Sequence, residues 1–461
     1  MERRNAWMLW FSTLGLALGC GYDAPSPPRG FDAGPAAEVG LDDDVALGPL
    51  QAQYPSYDLT LTLPYQGPAQ RFTLAVEPRA TRLDVHFLID TTGSFSGEVA
   101  NLKLGLGNVI LPGLRNRVPD LAMGVSRFAD FPVGSFGNRT DRPYELLAPI
   151  TVDYYRVGRA VLELDQPMLQ IGGDGPEAWG ESLWQVATGR GYASSVASIA
   201  PFVPPTGTDP ATLPAGVGFR PGSARVVVLV TDAPTHSPDT YQAQVPNTHS
   251  LGEAIAALRG VNARVIGIAS GDPARPQLEA VATQTGASVP VVGVACETGL
   301  RGGALRYPVN GRCPLVYDLN PDGSGLGQTI VDGIVRFLDS LAFLAVRGEV
   351  ADDPRGFVQS VEAVSAVQPE GAEPPRREDR NSDGVFDTFA DVPTRTRLTY
   401  AVNVQNTRVP EGEFPQVYFV TVRLMGDGVL AGQRTVRVIV PEGPKPDSGL
   451  DARVVDAVAT P

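Results

Sequence analysis

The sequence predicts an α/β protein with a doubly wound, mostly parallel sheet and helices on both faces, flanked by an all-β sandwich. From residue 81 short apolar strands alternate with helical segments, whereas strands follow one another without helices after residue 347. Four of the early strand segments are almost continuously hydrophobic, which is typical of parallel strands buried on both faces. These segments are residues 85–89, 122–128, 224–230 and 263–269.

The other elements follow from the periodicity of apolar residues. Helices are expected at residues 180–187, 251–258 and 328–344, and late strands at 356–366, 397–404, 416–425 and 432–441. Leu59, Leu61 and Leu63 alternate with polar residues, so residues 56–80 are predicted to form a β-hairpin. We expect an α/β domain at 81–346 and a sandwich at 347–441, which the hairpin joins.

The N-terminus has the composition of an export signal. Arg3 and Arg4 precede an uncharged apolar run, 6–18, that is too short to span a membrane. The run ends in Leu-Ala-Leu-Gly before Cys20, which resembles the lipobox of bacterial lipoproteins, although Ala17 stands where that family usually has Leu. The resemblance implies a signal peptide at 1–19 and a lipid on Cys20. The alternative is a plain signal peptide with an incidental cysteine.

The segments at both ends of the chain are expected to be disordered. Residues 20–55 are rich in Pro, Gly, Ala and Asp and predict a tether, and residues 442–461 predict a disordered tail. Gly21 follows the cysteine, which in Gram-negative lipoproteins implies the outer membrane. We therefore expect an exported protein that is anchored there by its lipid and faces the periplasm or the outside.

Composition limits the classes of function. Lys and Arg number 37 against 51 Asp and Glu, a net charge of −14, which argues against nucleic acid as a partner. The chain has only two lysines and three histidines, which disfavours Schiff-base chemistry, a phosphate-binding P-loop and a histidine-built zinc site. Apart from Cys20 the cysteines are Cys296 and Cys313, and in an exported chain this pair is most simply a disulfide.

Oxygen-bearing side chains follow the first predicted parallel strand. Asp90, Thr92 and Ser94 place a carboxylate and two hydroxyls on one tight turn. Hard divalent cations such as Mg²⁺ prefer oxygen ligands, and the carboxyl ends of parallel strands are where ligands bind in α/β sheets. Alone, this D-x-T-x-S pattern is weak.

Two further segments strengthen the interpretation. The loop at residues 172–177 ends in Pro-Glu, and the strand at 224–230 runs into Thr-Asp-Ala-Pro-Thr-His at 231–236. Together with the Asp90 turn, these segments resemble the von Willebrand factor A domain and, within it, the I-like domain of integrin β subunits. The resemblance covers roughly residues 81–346. It implies a divalent metal site, with Mg²⁺, Mn²⁺ or Ca²⁺, that binds a carboxylate of a protein partner.

The resemblance assigns the metal-site roles residue by residue. Asp90, Thr92 and Ser94 would be first-loop ligands, Glu177 a direct carboxylate, and Asp232 an acceptor for a metal-bound water. Thr92 replaces the usual Ser and keeps the hydroxyl. Gly97 and Gly172 stand where neighbouring integrin sites have ligands, so Glu98 and Asp174 are the remaining candidates for a second metal site. The alternative is a domain that has kept the loop for folding alone.

A second acidic segment resembles a truncated extracellular Ca²⁺ loop. Its candidate ligands are Asp379, Asn381, Asp383, Val385 through its carbonyl, and Asp387. Residue 390 is Ala where a complete loop has Glu, and the alternative is a solvated acidic turn.

The sequence thus favours a binding protein of the cell envelope over an enzyme. No Gly-x-Ser-x-Gly or His-Glu-x-x-His motif is present. The alternatives are an envelope scaffold whose metal serves folding only and, less favoured, a hydrolase.

Overall fold

A computed structural model describes residues 56–203, 216–241, 244–291, 293–299 and 306–444. Its strands are β1 Leu59–Thr62, β2 Gln70–Val76, β3 Arg82–Asp90, β4 Asp120–Phe128, β5 Glu145–Thr151, β6 Tyr192–Ala193, β7 Ser198–Ile199, β8 Ala224–Thr231, β9 Ala263–Ala269, β10 Ser288–Pro290, β11 Arg312–Pro314, β12 Val316–Asp318, β13 Phe343–Asp352, β14 Val358–Val367, β15 Arg376–Glu378, β16 Thr388–Val392, β17 Arg397–Val404, β18 Gln416–Gly426 and β19 Val429–Val440. Its helices are α1 Ser96–Gly105, α2 Leu111–Arg117, α3 Tyr154–Leu162, α4 Trp179–Thr188, α5 Pro238–Tyr241, α6 Leu251–Gly260, α7 Arg275–Thr285 and α8 Leu326–Asp339.

The α/β domain is built on a sheet with the strand order β12-β9-β8-β3-β4-β5, in which β5 alone is antiparallel. Its central strands are buried along nearly their whole length, as their continuous hydrophobicity predicts. One group of helices, α1, α2, α3 and α8, packs together, and α4, α6 and α7 form another. This confirms the predicted fold class.

The order of the strands creates a crevice at one edge of the sheet. β3 pairs with β4 on one side and with β8 on the other, so the chain leaves β3 and β8 at adjacent points of the carboxyl edge. Such switch points are where open α/β sheets bind ligands. The loops that carry Asp90 and Asp232 therefore meet there.

The second part of the described structure is a β-sandwich of two sheets, with the strand orders β1-β19-β18-β13-β16-β15 and β14-β17-β2. The expected hairpin at residues 56–80 is wrong, because β1 pairs with β19 and β2 pairs with β17 in different sheets. Alternation of apolar and polar residues identifies half-buried strands but does not determine which strands they pair with. The segment before the α/β domain thus contributes one strand to each sheet of the sandwich.

The sandwich holds the α/β domain through the turn between β18 and β19. The Asp427 carboxylate accepts the backbone N–H groups of Leu344 and Ala345, at 2.8 and 3.0 Å, in the first residues of β13, the sandwich strand that follows α8. The Asn262 amide donates to the Asp427 carbonyl, and Leu430 donates to the Gly222 carbonyl. The exit of α8 is therefore fixed from the sandwich side.

Two predicted boundaries differ from the structure. The helix expected to reach residue 344 ends at Asp339, and Phe343 already lies in β13 of the sandwich. The apolar residues after Ser340 belong to a strand, and periodicity alone does not separate them from the helix. Residues 442–444 of the expected tail are described, and Gly443 bonds to Gly412. The remainder of the tail lies outside the described residues, as do the predicted signal peptide, Cys20 and the whole tether at 20–55.

Candidate metal centre

Asp90 ends β3 with no exposed surface. Its Oδ1 accepts hydrogen bonds from the backbone N–H and the hydroxyl of Thr92, at 3.0 and 2.7 Å, and its Oδ2 accepts one from the Thr231 hydroxyl at 2.8 Å. Burial raises the pKa of Asp90 to about 7, although these hydrogen bonds oppose the shift. The carboxylate thus aligns the first loop and reaches across to β8.

The side chains predicted to hold the metal converge on one cleft of about 530 Å³. Thr92, Ser94, Glu177 and Asp232 all line it, and Asp90 lies buried beside Thr92. The Thr92 and Ser94 hydroxyl oxygens are 3.4 Å apart. Three separate turns of the chain therefore present oxygen atoms to the same space.

Glu177 is positioned by a short parallel bridge between two loops. Its N–H donates to the Pro234 carbonyl at 2.9 Å, and its carbonyl accepts the N–H of His236 and the hydroxyl of Thr235. Glu177 is 4% exposed, and no group of the described residues donates a hydrogen bond to its Oε2. Leaving such an oxygen buried and unpaired is costly.

The electrostatics around Glu177 are strongly negative. Burial raises its pKa to about 10, and the nearby carboxylates of Asp90, Asp130, Asp141 and Asp174 add to the shift. Among the described residues, no Arg or Lys forms an ion pair with Asp90, Glu177 or Asp232. A bound cation would satisfy the unpaired oxygen and favour the charged forms of these groups.

Asp141 shapes the loop that carries Glu177. Its two carboxylate oxygens accept the N–H groups of Ile171 and Gly172 at 2.9 and 3.1 Å, and Oδ2 also accepts that of Asn138 at 2.7 Å. Gly172 has a positive φ of 69°, and a Cβ there would lie 3.1 Å from Glu177 Oε1. A glycine at this position therefore lets the loop pass close to the carboxylate.

A further group beside the cleft joins Asp130, Asp174 and His236. The His236 Nε2 lies 3.1 Å from Asp130 Oδ2 and 3.1 Å from Asp174 Oδ1. In the described part of the chain this is the one set of three His, Cys, Asp or Glu side chains whose ligand atoms all lie within 4.8 Å of each other. Burial lowers the pKa of His236, but the two carboxylates outweigh it and raise the pKa overall.

The two candidates for a second metal site have different surroundings. Asp174 contacts His236, whereas Glu98 on α1 accepts a hydrogen bond from the Ser270 hydroxyl. The Glu98 Oε2 is buried and accepts no hydrogen bond from the described residues, and burial together with the charges of Asp232 and Asp322 raises the pKa of Glu98. The two residues therefore do not share contacts.

The donor set of the cleft fits a hard divalent cation. It consists of two hydroxyls and the three carboxylates of Asp174, Glu177 and Asp232 lining the space, with Asp90 buried beneath them, and it contains no sulfur or imidazole among the described lining residues. The orphaned Oε2 of Glu177 is a coordination position that the protein itself leaves unsatisfied. Mg²⁺, Mn²⁺ and Ca²⁺ are the metals that such a set accepts.

The acidic segment at 379–387 is arranged differently. Asp379 accepts the N–H groups of Asp383 and Gly384, at 3.3 and 2.9 Å, and Asp383 accepts that of Val385 at 2.8 Å. Asp387, the fifth predicted ligand, is buried, and its carboxylate accepts hydrogen bonds from Arg347 Nε at 2.9 Å and from the Thr388 hydroxyl at 2.7 Å. An arginine thus already balances its charge. For Asp379, Asn381, Asp383, the Val385 carbonyl and Asp387, calcium binding stays a prediction.

The predicted disulfide is present. Cys296 and Cys313 are bonded with a Cα–Cα distance of 5.4 Å, and both are buried.

In the described residues no helix has both the length and the apolar character needed to cross a membrane.

The sequence reasoning missed three residues that build the site. Asp130 lies two residues after the end of the buried strand β4, and an acidic residue at the end of a buried strand is the signal that identified Asp90. Asp141 and Gln170 lie in irregular segments. Gln170 donates to the Thr91 hydroxyl at 2.7 Å through its amide and to the Thr91 carbonyl at 2.8 Å through its backbone. No pattern in the sequence marks these two.

Comparison with known proteins gives structural neighbours only. No protein-family model matches the chain, and no curated protein matches it in sequence. The solved structures similar to it include the von Willebrand factor type A protein from Catenulispora acidiphila, at 13% identity over 83% of this chain and 72% of that chain, with a TM-score of 0.33.

Two other solved structures are similar at the same low level. The pilus adhesin SpaC from Lactobacillus rhamnosus GG, in its open conformation, has 10% identity over 83% of this chain and 46% of that chain, with a TM-score of 0.31. The SpRpn10 VWA domain has 10% identity over 54% of this chain and 94% of that chain, with a TM-score of 0.28. No ligand or partner follows from these values. The α/β domain of this chain is similar to von Willebrand factor A domains.

Proposed function

We propose that the chain is a binding protein that captures a protein partner through a divalent cation held at the cleft of Thr92, Ser94, Glu177 and Asp232. The observation that carries this proposal is the unpaired, buried Oε2 of Glu177 among several carboxylates that no Arg or Lys of the described residues neutralises. A cation bound there would keep a coordination position toward the open cleft. A carboxylate of the partner is the ligand that such a position favours.

The proposal includes an organisation like that of integrin β subunits. In support, strands from both sides of the α/β domain enter the same sandwich, since β1 and β2 pair with β19 and β17. The domain is then an insertion between strands of the sandwich. We also propose that the chain is an exported lipoprotein of the outer membrane, for which the sequence before residue 20 is the support.

Binding rather than catalysis is the proposed activity. A hydrolase of the nucleophilic type needs a nucleophile beside a positioned base. Thr92 and Ser94 line the cleft, but each of these hydroxyls contacts the other or Asp90, and among the described lining residues there is no histidine. The cleft is therefore suited to hold a cation and a partner group.

Affinity capture from envelope extract tests the proposal. The purified chain, with residues 1–20 replaced by an affinity tag, is incubated with extract in Mg²⁺ or in EDTA, beside the Asp90→Ala variant. We expect a partner that is retained in Mg²⁺ and lost both in EDTA and with Asp90→Ala. Retention of the same partner under all three conditions would instead indicate a scaffold, and in that case EDTA would lower only the melting temperature.

A further inference from the structure

An apolar groove of about 380 Å³ lies between α3 and the segment that runs from α1 to α2. Met123 of β4 and Val157 and Val161 of α3 line it and are buried. Tyr155 and Leu162 also line it and are 78% and 58% exposed. Exposing large apolar side chains to water is unfavourable, and on a protein surface they commonly mark a binding site when they border an apolar groove.

Two glycines keep this groove open. Gly158 lies in the middle of α3 and Gly107 in the π-helical turn Leu106–Ile110, and both line the groove. A glycine within a helix destabilises it relative to alanine. A Cβ at either position would have no neighbouring group within 4 Å, so packing requires neither glycine. Their effect is to leave empty the space that two side chains would fill.

The charge that lines the groove is positive, although the net charge of the chain is −14. The described lining residues include Lys103 and Arg159 and no Asp or Glu. Lys103 is paired with Asp165 at 2.6 Å. Arg159 lies 3.8 Å from Glu163 in an exposed pair on one helix, and such pairs contribute little. Arg159 can therefore exchange this partner for another anionic group.

A second arginine stands beside the groove. The Arg115 guanidinium lies 5.5 Å from the centre of the Tyr154 ring, which lines the groove. Arg115 is exposed and forms no ion pair with any described residue. The groove thus combines an apolar interior with two arginines that an anionic group could reach, and guanidinium groups bind carboxylates well.

From these features we infer that the groove is a second binding site, which takes a single-chain anionic amphiphile of the fatty-acid class. The alkyl chain would lie on Met123, Val157 and Val161, and the carboxylate would lie at the rim with Arg159 or Arg115. Small-molecule sites are commonly mostly apolar spaces of this size with a few charged groups. The site shares no lining residue with the metal cleft and needs no cation there.

Calorimetric titration with three simple amphiphiles tests the inference. The probes are decanoate, hexanoate and decyltrimethylammonium, each below its critical micelle concentration, and the protein is the chain with residues 1–20 replaced by an affinity tag. We expect one decanoate to bind each chain, with the same affinity in Mg²⁺ and in EDTA. Hexanoate should bind about tenfold more weakly, because it buries four fewer methylene groups. Decyltrimethylammonium should also bind about tenfold more weakly, because its charge is repelled by the arginines.

Variants locate the binding. Gly158→Leu puts a side chain into the groove and a better helix former into α3, so it should raise the melting temperature and weaken decanoate binding about tenfold or more. Gly260→Leu, at the end of α6, is the control, since a Cβ there also has no neighbour within 4 Å, and it should leave the binding unchanged. Replacing both Arg115 and Arg159 by Gln should bring the affinities for decanoate and decyltrimethylammonium close together.

Three results would overturn the inference. They are the absence of saturable decanoate binding, an affinity for decanoate that survives Gly158→Leu, and equal binding of decanoate and decyltrimethylammonium by the unmodified chain. All three can be obtained in EDTA, so they leave the proposed metal-dependent function untouched.

Discussion

Strand β3 carries a fully buried aspartate near each of its ends, and the two differ in what neutralises them. At the amino edge of the sheet, the Asp84 carboxylate accepts hydrogen bonds from Arg220 Nε at 2.6 Å and from the Ser223 hydroxyl at 2.8 Å. At the carboxyl edge, the hydrogen bonds that Asp90 accepts within the described part of the chain come from hydroxyl and backbone N–H groups alone. The first aspartate has its cation within the chain, and we propose that the second shares one taken from solution.

The comparison teaches that acidic residues alone do not define a metal site. Burial raises the pKa of Asp84 as well, although Arg220 opposes the shift, and Arg220 also binds Asp120 at 2.5 Å. The amino edge is therefore a closed ion-pair network that needs no ligand. At the carboxyl edge the carboxylates surround an open cleft, and one oxygen of Glu177 stays unpaired.

The largest expected effect is a difference in the free energy of unfolding between variants at the two edges of the sheet. Asp84→Asn leaves Arg220 without its buried partner, so we expect the free energy of unfolding to fall by about 3 kcal/mol, as for other broken buried pairs. Urea denaturation in EDTA measures this. The matched variant Asp90→Asn should not destabilise the metal-free protein at pH 8, because it removes an unneutralised buried charge. Equal losses for both variants would break the comparison.

The next effect concerns the metal. Asp90→Asn should weaken Mg²⁺ or Mn²⁺ binding about 100-fold, because Asp90 orients the Thr92 hydroxyl and contributes charge to the site. Isothermal titration calorimetry measures the affinity directly. Asp84→Asn, on the same strand, is the control and should bind the metal as the unmodified chain does, provided that circular dichroism shows it folded.

A third buried ionisable group on β3 is His86, and protonating it would place a positive charge in the core without an acidic partner. His86 is fully buried between the two aspartates, bonds to Ser126 at 2.8 Å, and has its pKa lowered to about 3 by burial. Since the folded-state pKa lies below the usual value of 6.5, the unfolded chain binds the proton first as pH falls. Stability is complete above pH 6.5 and is lost toward pH 3.

We expect protonation of this histidine in the unfolded chain to lower the free energy of unfolding by about 2.5 kcal/mol between pH 7 and about pH 4.5, at about 1.4 kcal/mol for each pH unit below the unfolded pKa. Thermal or urea unfolding over this range measures the slope, and His86→Asn should make it shallower whatever the variant's stability at pH 7. An unchanged slope would mean that other groups control the acid sensitivity.

The smallest effect distinguishes the second acidic segment from the cleft. Asp379 satisfies backbone N–H groups of its own exposed turn, so Asp379→Ala should change stability in EDTA by no more than about 0.5 kcal/mol. If the turn binds Ca²⁺, saturation at ten times the dissociation constant would add about 1.4 kcal/mol, and this gain would disappear in the variant. A calcium-induced stabilisation that persists in Asp379→Ala would assign the ion to another site.

Much of the site could be predicted because its residues follow buried strands. Asp90 and Asp232 come at the ends of β3 and β8, and parallel strands bring their carboxyl ends to one edge. Asp130 follows β4 in the same way and could have been found by the same argument. Asp141 could not, since its role depends on a loop fold that places it against Ile171 and Gly172.

For the fold, the sequence likewise predicted the elements but not all of their pairings and ends. Continuous and alternating hydrophobicity identify buried and half-buried strands, but they do not determine pairing, so β1 and β2 were expected to pair with each other. The end of α8 was missed because Leu341 continues the helical spacing past Ser340. The pairing of Asp387 with Arg347 joins residues far apart in the sequence and leaves no local signal.

The most direct test of the account is the anomalous diffraction of crystals grown with Mn²⁺. The account predicts a single strong anomalous peak in the cleft, about 2–2.5 Å from the oxygens of Thr92, Ser94 and Glu177. A cleft that contains no peak in crystals saturated with Mn²⁺, with Glu177 Oε2 bonded to a group of the protein itself, would contradict it.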